Sequence, residues 1–309
     1  MNIRKLIGLV AAAGLATSCV VGGEDAYIEE WPGMASLQSS QGRASYHECG
    51  ATMISPYWAL TAAHCVEIAK VDSTGRAIQY SPTEQGGSPK RFGPLKLVIG
   101  RAGLTDVPPE SVFPVTEIVV HPRYKVGNVE AGNDIALIKI DGEWTGETAK
   151  LEGVAPEVDL YQDLEVAGYG FLAEDAAGQA GVMKGGRRVS APSLALQAVS
   201  LPEVDTATCA RQIGAVIKRY DLQDVYGGVV ISERSHICAG TAGQDACYGD
   251  SGGPLVKRGI SGTVRQVGVV SWGLGCAREG SPGIFIRVSA YADWILKTTG
   301  MTRPEELTQ

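Results

Sequence analysis

The sequence lacks any run approaching the roughly 18 consecutive apolar residues of a membrane-spanning helix, although hydrophobic residues fill 44% of its 309 positions. That argues against an integral membrane protein. It also lacks a basic cluster. Lys and Arg number 27 against 34 Asp and Glu, a net charge of -7, and a chain without a phosphate-neutralising patch is a poor nucleic-acid binder. The balance leans weakly toward neutral or cationic partners. The cysteines are Cys19, Cys49, Cys65, Cys209, Cys238, Cys247 and Cys276; no two stand at the short spacing that zinc sites use, so the six after Cys19 read as disulfide partners rather than metal ligands. No internal repeat and no heptad pattern is present. Glycine alone is in excess: 40 residues, about 13% against a typical value of about 7%, with no triplet period of the collagen kind. Many tight turns, and hence an all-β chain, follow from that.

Arg4 and Lys5 precede the apolar run 6–16, which has the charged start and short hydrophobic centre of a secretory signal. Polar residues at helical spacing, which a core helix needs, are missing from it. Residues 1–19 are therefore expected to be a leader and the rest to be exported, into a compartment where disulfides persist. Leaving out Cys19 makes the cysteines even, enough for three bridges among 15 connectivities. Beyond residue 20, short β-type runs at 51–54, 59–61, 95–99, 115–120, 135–140, 164–167, 266–271 and 284–288 suggest barrels or a sandwich. Helical spacing is convincing only over 290–298, where Tyr291, Trp294 and Ile295 share a face. The stretches 67–91, 171–193 and 211–235 read as long polar loops, and the acidic segment 141–162 as a linker between two β-halves.

The chemistry begins at Gly249-Asp250-Ser251-Gly252-Gly253-Pro254. A serine hydroxyl is a poor nucleophile unless a base takes its proton and donors stabilise the oxyanion that follows. Gly249 lets the backbone turn so that its own N–H and that of Ser251 can face one oxygen, and the two glycines after Ser251 allow close approach. The alternative is a glycine-rich turn with a capping serine. Of the four histidines, His47, His121 and His236 stand in segments without further signals, whereas His64 lies in Thr61-Ala62-Ala63-His64-Cys65 beside a cysteine that can anchor it. A structural histidine would look the same. Asp134 enters an apolar strand run in Asn133-Asp134-Ile135-Ala136-Leu137, a costly place for an acid unless it is hydrogen-bonded, as it would be when orienting an imidazole. A turn at a strand edge is the competing account of Asp134.

Taken together, these segments resemble the chymotrypsin–trypsin family of serine peptidases. Six blocks match in chain order: Val20-Val21-Gly22-Gly23, Cys49-Gly50, the block ending His64-Cys65, the block around Asp134, the hexapeptide around Ser251, and Ser271-Trp272-Gly273, together spanning about residues 20–296. The resemblance implies two six-stranded antiparallel β-barrels with the site in their cleft and a C-terminal helix. It implies a peptidase domain over 20–298, with one barrel at about 30–140, the other at about 163–290, and a tail from 299 to 309. It makes His64 the general base and then acid, Asp134 the group that fixes its tautomer, Ser251 the nucleophile, and the N–H groups of Gly249 and Ser251 the oxyanion hole. Ser271 matches the position whose hydroxyl helps hold the buried aspartate, and 271–273 the strand that pairs with substrate backbone. The implied disulfides are Cys49 with Cys65, Cys209 with Cys238, and Cys247 with Cys276.

Asp245 matches the pocket-base position of the trypsin-like members, with Gly273 and Gly283 leaving the walls open, so cleavage after Arg and Lys is expected. Ala246 has no hydroxyl to solvate an ammonium, which favours Arg. Val20 matches the family's new N-terminus, which pairs with Asp250. Cys19 precedes it, so an Arg-specific enzyme would not activate itself there. Signal peptidase cutting after Cys19 is the preferred route. Alternatively, Leu15-Ala16-Thr17-Ser18-Cys19 resembles a bacterial lipoprotein box, which would leave a lipidated Cys19 as a tether. The three loops are longer than in compact members of the family. Arg101 stands where the calcium loop would need an acid, so no metal is expected, and no cofactor. Tyr169 replaces the usual Trp, and His47 matches a position tied to the zymogen state but is read as structural. The implied partners are protein or peptide substrates and protein inhibitors, with a secreted monomer expected. Two other readings remain: a peptidase of the same fold with a different pocket preference, and an inactive binding homologue, against which the intact triad argues.

Overall fold

Met34–Gln41, Ala44–Met53, Trp58–Thr61, Ala136–Ile140, Val112–Val120 and Arg91–Ile99 hydrogen-bond antiparallel in that order, and Arg91–Ile99 pairs back onto Met34–Gln41. Closing the ring removes its free edges. Its interior is aliphatic, with Leu37, Ala51, Met53, Leu60, Leu97, Ile99 and Leu137 wholly buried. This is a computed structural model, and it describes residues 20–42, 44–80, 91–156, 160–172, 174, 182–184, 187–189, 192–259 and 262–303. The expected leader at 1–19 and most of the tail lie outside the described residues.

The second sheet runs in the order Gln197–Leu201, Leu160–Gly168, Pro254–Gly259, Val264–Trp272, Gly283–Arg287, His236–Ala239 and Glu203–Val204. Only Pro202 separates the first of these from the last. One run of chain therefore pairs with Leu160–Gly168 at one end and with His236–Ala239 at the other, and the sheet curls back toward its own start. Pro202 has no N–H to give the ladder, yet its carbonyl accepts from Gly240 N at 3.0 Å. The C-terminal helix Ala292–Thr299 buries Ala292 and Ile295 in the same apolar cluster as Val269, Ile286 and the first barrel. It ties the two sheets together.

Sequence expectations change in all three polar loops and in the linker; the loop at 171–193 holds a hairpin, Val182–Lys184 with Arg187–Val189. The polar loop at 211–235 begins inside an α-helix, Thr206–Arg219, capped by Asp205, whose side chain accepts from Thr208 N. That helix buries Cys209, Ile213 and Ile217, four residues apart, and carries Lys218 and Arg219 at its end. Its exposed face is polar enough to hide the period. The linker at 141–162 is anchored rather than free, since Lys150–Leu151 pairs parallel with Arg265 and Gln266 and Leu151 and Val154 are buried in the core. The stretch 67–91 holds a small hairpin, Lys70–Val71 with Ala77–Tyr80.

Candidate active site

His64 sits in a short 3₁₀ turn, Ala63–Cys65, directly after the strand Trp58–Thr61. The Cys49–Cys65 disulfide fastens that turn to the neighbouring strand. Asp134 follows Asn133, whose φ of 58° is a left-handed conformation that asparagine tolerates, and it is wholly buried. Its Oδ1 accepts from the His64 backbone N–H at 2.9 Å. Its Oδ2 accepts from His64 Nδ1 at 2.8 Å and from Ser271 Oγ at 2.6 Å. Burial pushes the Asp134 carboxyl up, but the His64 charge and the hydrogen bonds from His64 and Ser271 outweigh it and hold the pKa below the usual value. Burial likewise pulls the imidazole down, and the Asp134 carboxylate outweighs it, so His64 stands above its ordinary value. With Nδ1 donating, the neutral ring offers Nε2 as its acceptor.

Ser251 lies at the seam between the two sheets. Its carbonyl accepts from Gly50 N at 2.7 Å, and Gly252 N donates to Val270 O at 2.8 Å. Ser251, His64, Ser271, Trp272, Gly273 and Asp245 line one cavity of about 220 Å³. Among these lining residues Asp245 is 2% exposed. Asp245 Oδ2 accepts from Ala277 N at 3.0 Å and the neighbouring Ala246 N–H also favours the carboxylate, whereas no hydrogen bond of normal geometry reaches the buried Oδ1 from the described residues. Burial pushes its pKa up to about 7. Gly283 faces this carboxylate so closely that a Cβ there would lie 2.7 Å from Oδ1.

Asp250, beside Ser251, is turned toward Gly168, at the end of Leu160–Gly168 in the second sheet, and toward Gly170 just beyond it. It is wholly buried, accepting from Gly170 N and Cys247 N at 2.8 Å each, and burial pushes it up to about 7. Gly168 and Gly170 make room for it, since a Cβ on either would lie 2.0 or 2.5 Å from its carboxylate. Neither glycine stood out in the sequence, because the collision is with Asp250, 80 positions beyond Gly170 and further still from Gly168. Val20 is wholly buried in the core of the second sheet, and Val21 O accepts from Asp245 N at 3.2 Å. His47 bonds Ser36 Oγ at 2.7 Å and the Gly249 carbonyl at 2.8 Å. Burial lowers its pKa to about 4, so it braces the Gly249 turn as a neutral ring.

The family described as Trypsin matches residues 20–295. The chain belongs to the trypsin family. It is similar to Testisin of Homo sapiens, 33% identical over 301 residues that cover 94% of this chain and 82% of Testisin. It is also similar to Transmembrane protease serine 11C of Mus musculus, 32% identical over 288 residues that cover 91% of this chain and 54% of that protein, so it spans about half that relative's length. Membership carries serine-protease chemistry and protein substrates.

Three disulfides hold the loops of this trypsin-family chain, Cys49–Cys65, Cys209–Cys238 and Cys247–Cys276. The last joins the segment before Ser251 to the outer wall of the cavity. Tyr226, from the long loop closed by Cys209–Cys238, stacks on Trp272 with ring centroids 6.1 Å apart. Tyr169 is buried and its hydroxyl donates to the Arg101 carbonyl. His121 packs between Tyr291 and Trp294, away from the cavity, and His236 bonds Ser232 N and Ser235. Among the described residues, no helix is long and apolar enough to cross a membrane.

Proposed function

We propose that the chain is a secreted serine endopeptidase that hydrolyses peptide bonds after Arg, and after Lys more slowly, through an acyl-enzyme. His64 Nε2 takes the Ser251 proton as Oγ attacks the carbonyl carbon, and Asp134 stabilises the imidazolium that results. The negative oxygen of the tetrahedral intermediate accepts from Gly249 N and Ser251 N. His64 then gives its proton to the leaving amine, and a water, activated by the same ring, releases the acid and restores the Ser251 hydroxyl.

One observation carries the specificity: the buried Asp245 Oδ1 receives no hydrogen bond of normal geometry from the described residues, in the cavity that Ser251 and His64 also line. A buried carboxylate oxygen left without a donor is costly, and a substrate guanidinium supplies two donors in a planar fork. Ala246 offers no hydroxyl to help a compact ammonium, hence Arg over Lys.

The active form begins at Val20, whose ammonium turns inward to Asp250. The burial of Val20 and the raised pKa of Asp250 support this pairing, because a buried acid with only two amide donors gains most from a cation. Disulfides among Cys49, Cys65, Cys209, Cys238, Cys247 and Cys276 favour an exported chain, with residues 1–19 as its leader. A panel of chromogenic peptides differing only in the residue before the cleaved bond, run with wild type and Ser251→Ala, tests the reading. Arg should be best. Removing the nucleophile should cost on the order of a million-fold in kcat, whereas equal rates with Phe or Leu would refute the assigned pocket.

A further inference from the structure

Glu67 lies two residues beyond Cys65 and reaches across to the loop that leads to Asp134. Its Oε2 accepts from Tyr124 Oη at 2.7 Å and from Gly127 N at 2.8 Å. Tyr124 is only 9% exposed, its ring packed in the core. Just beyond Gly127, Asn128 caps a short turn, Val129–Ala131, by accepting from Ala131 N at 2.8 Å. That turn sets Val129 at the wall of the cavity that His64 and Ser251 share. One carboxylate thus links the segment carrying His64 to the segment carrying Val129.

An extended substrate paired with 271–273 shows alternate side chains to opposite sides. If the Arg enters the pocket above Asp245, the side chain before it turns away from Asp245, toward His64 and Val129. We infer that Glu67 is a positioning residue: its carboxylate pins the 124–131 loop and so sets the Val129 wall against which the substrate residue preceding the cleaved Arg packs. This inference rests on the peptidase reading. Charge adds a second effect, since Asp134 and Glu67 are the two acids whose fields favour the protonated His64 ring. Ser271 faces the site as a neutral hydroxyl donating to Asp134.

The test compares full-length Glu67→Ala and Glu67→Gln with wild type, using Arg substrates that carry either Gly or Leu before the Arg. Glu67→Ala loses both hydrogen bonds. Read at a pH above the acid limb, which loss of the charge moves lower here as well, KM for the Leu substrate should rise on the order of tenfold, the scale of one charge-assisted hydrogen bond, with KM for the Gly substrate much less affected. Amide exchange at Gly127 should accelerate. Glu67→Gln keeps an acceptor and should retain the wild-type KM pattern, while the acid limb of kcat/KM moves to lower pH. Unchanged Gly127 exchange in Glu67→Ala, or an equal KM rise for both substrates, would overturn the assignment. If wild type cleaves neither substrate, the peptidase reading fails on its own, and Gly127 exchange still decides whether Glu67 holds the loop.

Discussion

Gly283 and Asp245 both line the cavity and face each other, with room for a hydrogen on the glycine but not a methyl group, whose carbon would lie 2.7 Å from Asp245 Oδ1. Oδ1 is also the oxygen that no hydrogen bond of normal geometry reaches from the described residues. Gly283→Ala should therefore fill the space a guanidinium needs and lower kcat/KM for Arg substrates on the order of 10²-fold, the scale of a misplacement near 1 Å. Labelling of Ser251 by a small fluorophosphonate, which needs no pocket, should stay near the wild-type rate. An unchanged kcat/KM would place the cation elsewhere.

Asp245, pushed up to about 7 by burial, must lose its proton before it can pair with a cation. Binding of an aryl amidine does not require His64, so its pH dependence isolates this group. Affinity should be level above about pH 7 and fall about tenfold per unit below it. Calorimetry in buffers of different ionisation enthalpy should show proton release near neutral pH. A flat profile between about pH 5 and pH 8 would contradict an unpaired acid in the pocket.

Asp134 is held by three donors, His64 N, His64 Nδ1 and Ser271 Oγ. Asp134→Asn should keep the fold but present an N–H to the ring, forcing the wrong tautomer. The known cost of that change in the family is on the order of 10⁴-fold in kcat. Ser271→Ala removes one donor from a buried carboxylate, worth about 1–3 kcal/mol, and should lower kcat by far less, leaving KM for Arg substrates in place because the backbone of residue 271 is untouched. Equal losses in the two variants would argue against Asp134 as the tautomer-setting group.

Asp250 ties activation to pH. In the chain not yet cut at Val20, its folded pKa of about 7 lies above the unfolded carboxyl value near 4. The folded state then binds the extra proton between those values, and stability should fall as pH rises from about 4 to about 7. Asp245, raised to about 7 as well, adds a slope of the same sign, so Asp250→Asn should reduce the slope in chemical denaturation without abolishing it, yet leave an enzyme that cutting at Val20 cannot activate. If, as proposed, the free Val20 ammonium pairs with the ionised Asp250, activity should decline at alkaline pH as the amine loses its proton. Full activity with Cys19 still attached would refute the pairing.

The parts of the site legible in the sequence were those whose chemistry is local. The segments around His64, Asp134 and Ser251 announced themselves through residue type and immediate neighbours. Strands with aliphatic runs, such as Ala136–Ile140, were legible for the same reason. Met34–Gln41 was not, because Ser36, Gln38 and Ser39 are buried polar residues: Ser36 and Ser39 find His47 and Glu48 on the adjacent strand, and Gln38 donates to Ser36 within its own strand. The helix Thr206–Arg219 hid behind a mostly polar face, although its Asp205 cap and the spacing of Cys209, Ile213 and Ile217 were there to be read. Gly168, Gly170 and Glu67 act only across the fold. Their partners are Asp250 for the glycines and Tyr124 and Gly127 for Glu67, and no window of sequence contains these pairs.

The most direct test of the whole account is an active-site titration of protein beginning at Val20 with an aryl ester of 4-guanidinobenzoic acid. On the proposed mechanism the guanidinium needs Asp245, and the ester needs Ser251, His64 and Asp134. Wild type should release one leaving group per chain in a burst, with intact mass showing a single guanidinobenzoyl group on Ser251, and folded Ser251→Ala should give no burst. A burst that survives in Ser251→Ala, or a fully folded wild type beginning at Val20 that gives none, would contradict it.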